Sequence, residues 1–222
     1  MAEDTCVSYL LKEISNFKNE CSYNQLILLN RFWPKAPVQK YKIGVMKLVP
    51  KVHKLSGKID KESWKVLPSR PIRGAELEPM KAPSKVLYQL LQRMLKRLKE
   101  QYSYLSMYHL KYPILNGCDD YINRLDTLRL KKNLMSKTVL ITADFSDAYT
   151  ETCIDGLQKS ILKIGELVGV PYFEIDLMNK LVAMVFSNCY FYTPTGLYRQ
   201  TRGMPMGDYS SRFVFHDKIC VV

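Results

Sequence analysis

No apolar run in the chain reaches the ~18 residues that span a bilayer, so no transmembrane segment is expected. Glycine is scarce, 10 of 222 residues, which excludes a collagen-like repeat. The six cysteines (Cys6, Cys21, Cys118, Cys153, Cys189 and Cys220) form no CxxC pair and no Cys/His cluster. Zinc ligation is therefore not expected. The cysteines are also too sparse for a secreted disulfide scaffold, and partly buried free thiols in a reducing compartment are expected. The start, MAEDTCVSYLLKEI, lacks the basic region and apolar core of a signal peptide. There is no internal repeat and no low-complexity tract.

What is present is ordinary globular stock with an unusual charge. Hydrophobic residues make up 47% and charged residues 24%, which excludes disorder throughout and allows a core. Lysine plus arginine number 33 against 21 acids, for a net charge of +12. Between Lys35 and Glu100 there are 17 basic and 5 acidic residues, so this one segment carries the whole surplus. Such a balance favours polyanionic partners.

Periodicity predicts short helices over residues 1–33, with Val7, Leu10, Leu11 and Ile14 on one face. Residues 34–48 are punctuated by Pro and Lys and read as a connector. Short apolar runs at 43–49 and 69–74 flank a polar, turn-like stretch and predict a basic β-hairpin. Residues 84–104 carry one apolar stripe (Val86, Leu87, Leu90, Leu91, Met94, Leu95, Leu98), with Arg93, Lys96, Arg97 and Lys99 expected on the solvated side. Another helix is expected over 116–134 and a buried strand over 138–142. Helices at 157–168 and 172–188 follow. A hairpin around Thr193-Pro194-Thr195-Gly196 closes the series.

Three segments could carry chemistry. In ADFSDAYT, Asp144 and Asp147 directly follow the strand. A carboxylate there suits a divalent metal, and the next turn offers amides to phosphate. The competing role is a helix cap by Ser146 or Asp147. In YRQTRGMPMGDYSS, two glycines let backbone approach a ligand, and Gln200, Arg199 and Arg202 can bond bases or phosphates. The competing role is an ordinary Gly-rich turn. The hairpin segments VPKVHK and RPIR offer cations to a triphosphate or a nucleic-acid backbone, or form a solvated basic face.

The order of these segments resembles a reverse transcriptase, and specifically the Penelope-like retroelement branch, which is related to telomerase. VPKVHK and SRPIRG resemble that family's two fingers motifs, and NGCDDYINRL the stretch before its first catalytic strand. ADFSDAYT is similar to motif A and YRQTRGMPMG to motif B. The resemblance spans roughly residues 49–211. It implies an α+β fold with right-hand polymerase fingers and a partial palm, preceded by N-terminal helices. The segments would be a helical extension and connector (1–48), basic fingers (49–137), a partial palm with motifs A and B (138–211) and a divergent tail (212–222).

The resemblance also implies roles. Asp144 is the first metal aspartate, and the Phe145 carbonyl is a second ligand for one of two Mg2+ ions. Lys51, Lys54 and Arg70 neutralise the triphosphate. Asp147 and Ala148 belong to the turn whose amides meet it, and Tyr149 stacks under the sugar and favours deoxynucleotides. Gln200 and Gly203 shape the pocket for the incoming nucleotide and the templating base. The implied partners are an RNA or DNA template-primer and deoxynucleoside triphosphates, with no membrane partner and a nuclear or cytoplasmic setting.

Motif C, the Tyr-x-Asp-Asp hairpin, has no counterpart. Asp217 is the only acid in the tail, and Asp119-Asp120 lies upstream of motif A. The expectation is a truncated enzyme, inactive alone, whose missing palm and thumb come from a longer product. The alternative is a non-catalytic nucleic-acid-binding remnant. Without the motif C hairpin, the strand at 138–142 becomes an apolar edge, so the isolated chain should be marginally stable. A cooperative thermal transition well above physiological temperature would contradict this.

Overall fold

The computed structural model describes residues 2–35, 40–50, 69–74, 77–105, 122, 123, 126, 152–205 and 207–211. Two short antiparallel ribbons lie beside a helical core, so the chain is α+β.

Helix α1 (Glu3–Asn19) opens with Glu3 and Asp4 and closes with Lys18, charges that suit its dipole. Its buried stripe is Cys6, Leu10, Ile14 and Phe17. Helix α2 (Tyr23–Phe32) starts with a capping box between Ser22 and Gln25. The Gln25 amide then reaches across the core. It donates to the Phe173 carbonyl at 3.1 Å and to Asp176 at 2.8 Å.

Helix α3 (Lys81–Leu105) buries the expected stripe, and Leu87, Leu90 and Leu91 are wholly inaccessible. It begins three residues earlier than its periodicity suggests. Pro83 sits in the first turn, where its missing N–H costs no helical bond. Arg93 also departs from expectation. It is half-buried rather than fully solvated: it pairs with buried Glu174 at 3.6 Å and lies over the Phe32 ring at 5.4 Å.

Helix α4 (Ile154–Leu167) packs on α5 (Tyr172–Ser187). Helix α5 is buried along nearly its whole apolar length, because it also touches α2 and α3. Among the described residues no helix is long and apolar enough to cross a membrane.

Strands β1 (Met46–Pro50) and β2 (Ser69–Arg73) form the expected hairpin, with Met46 opposite Arg73. The strand starts later than residue 43 because Ile43 and Gly44 have other partners. The Ile43 N–H donates to Glu3, and the Gly44 N–H to Glu78. Strands β3 (Tyr190–Thr193) and β4 (Gly196–Arg199) form the second hairpin, across Pro194-Thr195. The ribbons touch where the Tyr192 N–H donates to the Gly44 carbonyl at 2.9 Å.

Of the helix expected over 116–134, only Ile122, Asn123 and Asp126 are described, and they are helical. The strand at 138–142 and the tail 212–222 lie outside the described residues.

Leu90 makes the core's dependence on α3 testable. Leu90→Ala should cost about 2–5 kcal/mol in urea denaturation, since it empties a fully enclosed site. A loss under ~1 kcal/mol would mean α3 is not the core's centre.

Candidate functional site

The YRQTRGMPMG loop leaves β4 and folds back onto the base of the first hairpin. Gly207 lies at φ +106° against the Arg73 backbone, and a Cβ there would overlap the Arg73 carbonyl oxygen. Glycine is thus required at 207 by packing within the chain. Gly44 is pressed in the same way against Gly74 and Glu78.

Beneath this contact lies a buried polar joint. Arg73 and Glu78, each 3% exposed, pair at 2.9 Å. The other Glu78 oxygen accepts the Gly44 N–H at 2.8 Å, and Arg73 also donates to the Tyr190 carbonyl at 3.2 Å. Asp208 accepts from the Tyr209 N–H at 2.9 Å and the Ser210 hydroxyl at 3.0 Å. Ser210 in turn meets Ser84 of α3 at 3.1 Å. Burial pushes the Glu78 carboxyl up to about 7, with the Asp208 charge acting in the same direction, while Arg73 and the Gly44 N–H pull it down. Burial also pushes the neighbouring Cys189 thiol up to about 12.

The loop's outer face borders a cavity of about 550 Å³. Its walls include Cys153 and Asp155 at the start of α4, Arg199 at the end of β4, and Gln200, Arg202 and Gly203. That volume is in the range of small-molecule sites, and among the described residues its walls carry two guanidiniums, Arg199 and Arg202, and one carboxylate, Asp155. Gln200 is held in place. Its N–H donates to the Cys189 carbonyl at 2.9 Å and its side-chain amide to the Arg202 carbonyl at 2.9 Å. The Cys189 thiol donates to its side-chain oxygen at 3.6 Å. Gly203 takes φ +73° at the cavity edge.

Gln200 and Gly203 are therefore together on one wall. Lys51, Lys54, Asp144, Phe145, Asp147, Ala148 and Tyr149 lie outside the described residues. The backbone of Arg70 is in β2, opposite Val49, and its side chain is not described. Arg73 is not the phosphate cation that RPIR suggests, because it is buried against Glu78. The N-cap of α4 is Cys153, which accepts the Gly156 N–H at 3.3 Å, and the capping role considered for Ser146 or Asp147 lies outside the described residues. The described cysteines Cys6, Cys21, Cys153 and Cys189 are free thiols, as expected. Among the described residues no group of three or more His, Cys, Asp or Glu could hold a metal.

Sequence reasoning missed the joint. Its one signal was a glutamate, Glu78, inside a segment otherwise dominated by lysine and arginine. The chain matches no protein-family model, no curated protein and no solved structure.

The Glu78 carboxyl gives a pH signature. Its folded pKa of about 7 exceeds the ordinary 4.5, so folding takes up a proton between them. The stability Glu78 contributes is complete below about 4.5 and is lost as pH rises through about 7. Denaturation midpoints of wild type should fall relative to Glu78→Gln across that window, by on the order of 3 kcal/mol. A constant difference would show a carboxylate ionised throughout.

Proposed function

We propose that the chain is a reverse transcriptase (RNA-directed DNA polymerase) fragment of the Penelope-like type, made of fingers and the first half of a palm. It engages an RNA or DNA template-primer and deoxynucleoside triphosphates in the nucleus or cytoplasm. The observation that supports this reading is the seating of the Gly-rich loop on the base of the basic hairpin, beside a cavity bordered by Arg199 and Arg202. A nucleotidyl-transfer site needs these parts together: phosphate-binding cations, a wall that closes on the nucleotide, and a carboxylate strand entering nearby.

In this reading Gln200 and Gly203 shape the wall facing the incoming nucleotide and templating base. Lys51, Lys54 and Arg70 meet the triphosphate from the hairpin. Asp147 and Ala148 supply the turn beside it, and Tyr149 contacts the sugar. Asp144 and the Phe145 carbonyl would hold magnesium, which stabilises the attacking and leaving oxygens when bound. The segment bearing them ends just before Thr152, which itself lines the cavity.

Binding of an RNA–DNA primer–template duplex, followed by fluorescence anisotropy, tests the proposal. Affinity should fall tenfold or more between about 50 and 200 mM salt, because phosphate contacts release counterions. Replacing Lys51, Lys54 and Arg70 together by Ala should weaken binding at least about tenfold and flatten the salt dependence by roughly 2–3 units of slope. Affinity indifferent to salt and to these substitutions would overturn the reading.

A further inference from the structure

We propose that Arg73 and Glu78 are positioning residues for the cavity. Together they fasten both ends of the 200–208 loop to the base of the first hairpin. The proposal takes from the polymerase reading only what the cavity holds.

Among the described residues, 200–205, 207 and 208 belong to no helix or strand, so the course of the loop must be set by contacts elsewhere. Arg73 provides them at both ends. At the loop's start, its guanidinium donates to the carbonyl of Tyr190, the residue next to Cys189. Cys189 holds Gln200 through its carbonyl and its thiol. At the loop's end, the Arg73 backbone is the surface against which Gly207 packs. Glu78 fixes the guanidinium and, through the Gly44 N–H, ties the same point to the start of β1.

General stability is a poor account of such a pair. Buried ion pairs can often be replaced by apolar side chains of similar volume without loss of stability. Arg73 also leaves its Nε buried with no hydrogen-bond partner among the described residues, an uncompensated cost. Direction is what the pair adds that an apolar pair would not. Two fixed hydrogen bonds from one planar head set where β3 and the hairpin meet, and hence where the loop must run.

Hydrogen–deuterium exchange of the full chain at one pH tests this. The double variant Arg73→Met/Glu78→Leu removes both charges and strands neither. Amides of peptides spanning 200–211 should exchange at least tenfold faster in it, while those of α3 and α5 keep wild-type rates. Unchanged exchange in the loop overturns the proposal. So does equal acceleration in α5, including outright unfolding, which would make the pair a general stabiliser. Titration with dTTP and magnesium runs in parallel. Saturable binding lost in a double variant whose α3 and α5 amides keep wild-type exchange supports positioning, and equal binding in wild type and the double variant overturns it. Absence of binding to wild type sinks the polymerase reading instead, and the exchange result then decides the positioning.

Discussion

The ion pair between Arg73 and Glu78 is the constraint from which the rest of the site follows. Both groups have left water, so each must find partners inside the protein. Those partners lie on Gly44 before β1, on Tyr190 in β3 and on each other. Satisfying them brings the two ribbons edge to edge. Once the ribbons meet, the chain leaving β4 passes directly over the Arg73 backbone, and only a glycine at 207 fits there. The cavity wall is a by-product of that closure.

Stability and geometry are divided between two regions. The helices supply apolar burial: α5 is enclosed by α2, α3 and α4, and Gln25 and Arg93 carry polar links between helices where apolar contact stops. The ribbons have little core of their own, and two-stranded sheets are marginal alone. They are held by polar contacts and by the α3 amino end, through Ser84 and Ser210. A rigid helical block carrying an irregular functional loop is how many sites are built, since loops have backbone groups to spare for ligands.

Much of this was legible in the residues. The α3 stripe showed because one face of a long helix must be apolar, and its leucines and Met94 are buried as read. Both hairpins showed through their turn residues, and Gln200 with Gly203 through a glycine-containing loop after a strand. Arg93 and Arg73 did not show. Each looked like a surface cation because sequence reveals charge but not the distant acid or ring that covers it: Glu174 and Phe32 for one, Glu78 and the Gly207 backbone for the other. Helix α3 starts three residues before the expected position because the stripe marks only its buried face, and its first turn accommodates Pro83.

The central claim is that the loop bearing Gln200 and Gly203 faces the templating base. The most direct measurement is photo-crosslinking with a primer–template duplex that carries 4-thiothymidine at the templating position, mapped by mass spectrometry. The account predicts crosslinks in residues 200–208, competed by unmodified duplex. Crosslinks confined to α1 and α2, or none that the unmodified duplex competes, would contradict it.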